Sequence, residues 1–143
     1  MAATYESDVV AWANEQARLI RAGRFDLLDI ENIAEEIEDV GKSEKRELAN
    51  RMAILLAHLL KWKVQPERRG TSWRNTINNQ RERISRRVEK TPGLQSCLVD
   101  NEWWKDAWLD AIDMAIKETN LEIDMPNECP WARDEILGDW MPE

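Results

Sequence analysis

A single apolar stripe with helical spacing runs through the first half of the sequence. At about 100° per residue, its members all point within about 80° of one direction. The stripe comprises Ile30, Ile33, Ile37, Val40, Leu48, Met52, Leu55, Leu59 and Trp62. Its phase survives Gly41, which predicts one long helix over about 29–64; two collinear helices broken at 41–43 are the alternative left open. We expect the stripe to be buried, with Leu48, Leu55 and Leu59 joined in the core by Ile30 and Ile37.

Start and stop signals predict four further helical segments. A cap at Ser7 opens the first helix, which ends at Gly23. The remaining segments are a third helix from Thr71 or Ser72 to Thr91, a fourth from Pro92 to about Leu121, and a short C-terminal helix around 132–137. The last of these lies in an extended Pro-containing tail that begins at about 122.

No stretch alternates with period two, so the predicted fold class is all-α. Short loops between amphipathic helices favour an antiparallel helical bundle, and a length of 143 residues fits a single domain over 1–143. The longest uncharged apolar run, Met52 to Leu60, is well short of the roughly 20 residues that span a bilayer. The first ten residues do not resemble a secretory signal, so we expect a cytoplasmic protein with no membrane contact. Cys97 and Cys129 are expected to be reduced thiols rather than zinc ligands.

Several local strings resemble a known family. They are Asp8 with Trp12 and Gln16, the string ENIAEEI at 31–37, HLLKW at 58–62, QPE at 65–67, Cys129-Pro130, and Trp140 with Pro142. In this order they make the chain similar to the uncharacterised bacterial family named domain of unknown function 29. The resemblance covers nearly the whole chain and implies an all-helical bacterial protein, and it implies no activity.

An acidic cluster in the long helix is the candidate metal site. Glu35, Glu36 and Glu38 lie close along one turn, and carboxylates at this spacing can hold Mg²⁺ or Mn²⁺, as in helical nucleotide pyrophosphatases. His58, the sole histidine, could join them only if the helix bends back at Gly41, because 22 residues of helix separate it from Glu36 by about 33 Å. With 28 acidic residues in 143, a solvated acidic face and a partly buried histidine are the favoured interpretations. No cofactor is predicted.

A basic segment interrupts an otherwise acidic chain of net charge −8. Residues 61–90 hold ten Lys or Arg against three Glu, a net charge of +7. The candidate interaction surface within them is Arg74, Arg81, Arg83, Arg86 and Arg87. The acidic flanks would repel RNA or DNA, so pairing within the molecule is favoured, and another protein or a nucleic acid are the alternative partners.

The leading functional hypothesis is a non-enzymatic module that contacts another macromolecule through its basic third helix or its Trp-bearing surfaces. The partner is more readily a protein than a nucleic acid, because the chain as a whole is acidic. The alternative is a divalent-metal-dependent hydrolase that uses the Glu35, Glu36 and Glu38 cluster. The sequence sets neither the partner nor the oligomeric state.

Overall fold

The computed structural model describes residues 4–143, which form six α-helices and no strand. The helices are α1 (Val9–Arg21), α2 (Ile30–Val64), α3 (Thr71–Lys90), α4 (Gln95–Leu98), α5 (Asn101–Thr119) and α6 (Arg133–Leu137). The predicted fold class is confirmed: it is all-α, with one unusually long helix and a short C-terminal helix. Among these helices, none is long and apolar enough to cross a bilayer.

Helix α2 is continuous over its 35 residues, so the prediction of one long helix is confirmed. Gly41 lies inside it, so the roughly 1 kcal/mol that Gly costs in a helix interior does not interrupt the helix. The helix ends just before Gln65 and Pro66, as expected from the missing amide of proline.

The chain divides into two compact units. The first ends at Ser43 and comprises α1 with the start of α2. The second, Glu44–Glu143, contains the rest of α2 and all later helices. The prediction of a single domain over 1–143 stays a prediction.

The core of the second unit is built on the later part of the apolar stripe. Leu48, Met52, Leu55 and Leu59 are fully buried there, as predicted. They belong to one cluster with Ile77 and Ile84 of α3, Trp108 and Ala111 of α5, and Ile136 of α6. Helical periodicity therefore identified the correct face of α2 in this unit.

The earlier part of the same stripe is not buried, which corrects the sequence prediction. Ile30, Ile37 and Val40 are 67%, 68% and 68% exposed. The expectation that Ile30 and Ile37 share a core with Leu55 is wrong. Periodicity shows which face of a helix is apolar, but burial also needs a partner for that face.

Two helix boundaries also differ from the prediction. The cap of α1 is Asp8 rather than Ser7, and its carboxylate accepts a hydrogen bond from the Ala11 amide at 3.1 Å. The predicted fourth helix is split into α4 and α5, because Asp100 accepts bonds from two amides of the following turn and starts a new helix there. Gly23, with φ of 73°, follows α1 in the left-handed region, as its predicted role as terminator requires.

Candidate functional site

The acidic residues proposed as a metal site are distributed over one exposed region of α2. Glu35 and Glu38 are exposed, whereas Glu36 is half-buried and accepts a hydrogen bond from the Tyr5 hydroxyl at 2.5 Å. This bond and the neighbouring carboxylates raise the pKa of Tyr5 to about 12, so the hydroxyl remains a donor. Residues 4–143 contain no group of three or more His, Cys, Asp or Glu side chains placed to hold a metal ion. The structure therefore does not bring Glu35, Glu36, Glu38 and His58 together as ligands.

His58 lies in the second unit at the edge of the core. Its Nδ1 is 2.9 Å from the carbonyl oxygen of Ile54, so Nδ1–H donates within the same helix. Desolvation by burial lowers the pKa of His58. The imidazole is therefore half-buried and neutral at pH 7.

Arg81 of the basic helix α3 is buried and bonded to the chain's own backbone. Its guanidinium donates to the carbonyl oxygens of Ile136 at 2.8 Å, Glu135 at 3.3 Å and Trp140 at 2.5 Å. Burial lowers the pKa of Arg81. The side chain thus fastens the C-terminal segment to α3.

The other arginines of the candidate surface have different surroundings. Arg87 pairs with Glu44 at 3.1 Å and with Glu47 at 3.5 Å. Arg86 pairs with a carboxylate one turn away on its own helix, and Arg74 stacks 5.0 Å from the centre of the Trp62 ring. Arg83 is exposed. Much of the positive charge of α3 is therefore used inside the second unit.

The Trp-bearing surfaces belong mostly to the core of the second unit. Trp62, Trp104 and Trp108 are buried, and Trp131 packs edge-on against Trp108 with ring centres 5.3 Å apart. The Trp108 indole N–H donates to the carbonyl oxygen of Pro126 at 2.8 Å. These rings serve packing and hold the C-terminal tail.

A small cleft of about 240 Å³ lies between α5 and the C-terminal tail. Its polar walls include Cys129 and Arg133. Burial raises the pKa of the Cys129 thiol to about 11, so it carries little thiolate at neutral pH. Arg133 donates to the Leu98 carbonyl and the Asn101 side chain. Cys129 is therefore not an activated nucleophile in this cleft.

In the first unit, a polar clamp joins α1 to the start of α2. The indole N–H of Trp12 donates to the Asp29 carboxylate at 2.9 Å, and the Asp29 amide donates to the Gln16 side chain at 2.8 Å. Asn32 donates to the same carboxylate and, with Trp12, lowers the pKa of Asp29. Sequence reasoning missed this clamp, although Asp29 lies at the predicted start of the long helix, where capping residues are common.

An open apolar groove of about 340 Å³ lies between α1 and the start of α2, the two helices that the clamp joins. Its lining consists of Trp12, Ala13, Ala17 and Ile20 from α1 and Ile33, Glu36, Ile37 and Val40 from α2. Ala13 and Ala17 carry only methyl groups, so α1 leaves space beside the larger side chains of α2. We call this surface, with its neighbour Ile30, the N-terminal groove.

Apolar exposure is concentrated in the first unit. Of the twelve large hydrophobic side chains that are exposed among residues 4–143, eight precede Ser43: Val9, Val10, Ile20, Phe25, Leu27, Ile30, Ile37 and Val40. The described part of this unit has less than half the residues of the second. Scattered exposed apolar residues are normal, but a concentrated set is typical of interaction sites.

The first unit is also strongly acidic. Up to Ser43 it carries ten Asp or Glu against four Lys or Arg, a net charge of −6. Glu36 is the one charged residue of the groove lining. The surface is therefore an apolar groove in a negative field.

Comparison with known families decides the relationship suggested by the local strings. The model of the family described as "Domain of unknown function DUF29" matches residues 4–141. The chain belongs to the DUF29 family. No curated protein and no solved structure matches it. In this DUF29 chain, three residues of the matching strings have structural roles: Asp8 caps α1, and Trp12 and Gln16 form the clamp.

Proposed function

We propose that this DUF29 chain is a non-enzymatic interaction module whose N-terminal groove binds a partner protein. The observation that carries the proposal is the apolar stripe of α2, which forms the core of the second unit and continues in phase into exposed positions in the first. Ile37 and Val40 are apolar at helical spacing, as a buried face requires, yet they are exposed. A protein partner would supply the missing cover.

The free energy gained by covering the exposed apolar side chains is large enough to support binding. Fully burying an aliphatic side chain contributes about 1.5–3 kcal/mol. Ile30, Ile37 and Val40 are each about two-thirds exposed, so covering all three would contribute roughly 3–6 kcal/mol before the costs of association. Contacts with Ile20 and Ile33 would add to this.

The clamp supports the proposal because it holds α1 and the start of α2 together before a partner binds. Trp12 and Gln16 of α1 both bond to Asp29, at the start of α2. A preformed surface loses less conformational entropy on binding than a flexible one.

The basic surface proposed from the sequence has weaker support as a docking site. Arg81 and Arg87 donate to groups of the same chain, and Arg86 pairs with Glu82 of its own helix. Arg83 is exposed, as is Arg74, which lies over the Trp62 ring. The hydrolase alternative needs a set of carboxylates or histidines that face one another, and no observation here favours it.

Site-specific photo-crosslinking of variants of this chain, produced in cells of its natural host, tests the proposal. A photoreactive benzoylphenylalanine would replace Ile37 in one variant and Val40 in another. Val99 is the matched control position, because it is apolar, 76% exposed and located in the second unit. We expect the same protein to be crosslinked from positions 37 and 40 and not from 99. Equal crosslinking from all three positions, or none from the groove, would contradict the proposal.

A further inference from the structure

We infer that the partner element that fits the N-terminal groove is a basic amphipathic helix of another protein. This inference rests on the proposed docking function and adds the chemistry of the ligand. It follows from the shape of the groove, from the charge of the first unit, and from a comparison with the helices that a second copy of the chain would present.

The shape of the groove suits a helix. Ile33, Ile37 and Val40 follow the i, i+4, i+7 spacing of one helix face, and Ala13, Ala17 and Ile20 repeat it on α1. From Ile30 to Val40 the apolar face is about 15 Å long, or close to three helical turns. Recognition of an amphipathic helix in a groove uses anchors at this spacing.

The charge of the first unit selects a cationic partner. Its net charge of −6 attracts Lys and Arg and repels acidic segments. Glu36 lies in the groove wall, where a cation beside the apolar anchors of the ligand could reach it. Complementary charge of this kind accelerates association and selects against the wrong partners.

Helices α3 and α5 of a second copy lack the required combination. Helix α3 is basic, with six Lys or Arg against two Glu, but none of its large hydrophobic side chains is exposed. Helix α5 exposes Leu109 and Ile116, seven residues apart, but it carries five acidic residues against two Lys. Neither α3 nor α5 of a second copy would therefore offer positive charge together with an exposed apolar stripe.

The test uses a synthetic probe with the full chain. The probe is an 18-residue helical peptide with Leu at i, i+3, i+4 and i+7 positions and Lys elsewhere, about 27 Å long. A second peptide replaces every Lys with Gln, and a third replaces every Lys with Glu. A fourth has the composition of the first in scrambled order. Binding is measured by fluorescence anisotropy, and the binding site is mapped by NMR chemical shifts of the protein.

We expect the basic peptide to shift the resonances of Ile33, Ile37 and Val40. It should bind at least about tenfold more tightly than the Gln, Glu and scrambled peptides. Ile37→Asp should weaken binding by about tenfold or more, whereas Val99→Asp, the matched exposed control, should change it less than twofold. Both positions are exposed, so circular dichroism should show the fold unchanged in each variant.

Each other outcome overturns the inference in a recognisable way. Equal binding of the Gln peptide to the groove would refute the charge requirement and leave docking of an apolar helix intact. Binding that ignores Ile37→Asp, or that shifts residues outside the groove, would show non-specific attraction. Self-association in sedimentation velocity that Ile37→Asp abolishes would assign the groove to a second copy. If no peptide binds, the inference is wrong, and the crosslinking experiment decides separately whether the groove docks a protein.

Discussion

Replacing Arg81 with Met would remove the donor that holds the C-terminal segment against α3. Met keeps most of the side-chain volume but leaves the carbonyl oxygens of Glu135, Ile136 and Trp140 without the guanidinium. A hydrogen bond from a charged donor contributes about 1.5–3 kcal/mol. The bond to Ile136 is buried and should contribute its full free energy, whereas the two other bonds are only partly buried and should contribute less. We therefore expect Arg81→Met to lower the free energy of unfolding by about 2–4 kcal/mol.

The matched control is Arg86→Met on the same helix. Arg86 forms an exposed pair with Glu82, four residues away, which is worth about 0.3–0.5 kcal/mol. Urea denaturation followed by Trp fluorescence measures both variants, because seven of the eight Trp residues lie after Glu44 and report on the second unit. Hydrogen exchange should also show faster exchange in the tail of Arg81→Met. A loss within about 0.5 kcal/mol of the control would refute the anchoring role.

Three further predictions concern burial and titration. Leu55→Ala should cost about 2–5 kcal/mol in urea denaturation because Leu55 is fully buried, whereas the exposed Ile37→Ala should cost less than about 1 kcal/mol; equal losses would contradict the assignment of the core. By NMR, His58 should titrate below the ordinary value of 6.5, so stability should fall as the pH drops below 6.5 toward the lowered folded-state pKa; His58→Gln should remove this dependence. Cys129, with a pKa near 11, should react with iodoacetamide at pH 8 about a hundredfold more slowly than free cysteine, and mass spectrometry of a Cys129→Ser control should assign the site.

The fold could largely be predicted from the sequence, because helix formation leaves a local signal. The helical period of the stripe predicted that α2 continues across Gly41. It also predicted the start of α2 to within one residue. The break between α4 and α5 was missed because a single capping side chain, Asp100, overrode a continuous apolar pattern. The prediction that Ile30 and Ile37 are buried was wrong for a different reason. Burial of an apolar helix face depends on whether a second surface covers it, and the periodicity of the sequence carries no such information.

The site was less predictable because its parts are distant in sequence. Arg81 bonds to Ile136, 55 residues later, so its burial follows from the path of the tail and not from any local pattern. The clamp joins Asp29 to Trp12 across 17 residues. The matching DUF29 strings contained Trp12 and Gln16, but the strings alone did not show what these residues contact. Composition gave the sign of each charged segment, whereas the structure shows which charges are already paired.

The most direct measurement of the docking claim is the affinity of the protein crosslinked from position 37 for three forms of this chain. Isothermal titration calorimetry would compare the wild type with Ile37→Asp and with the control Val99→Asp. We predict that the first change weakens binding by about tenfold or more, because a buried unpaired carboxylate costs at least about 1.4 kcal/mol, and that the second leaves it within twofold. Equal affinity for all three forms would contradict the assignment of the N-terminal groove as the docking surface.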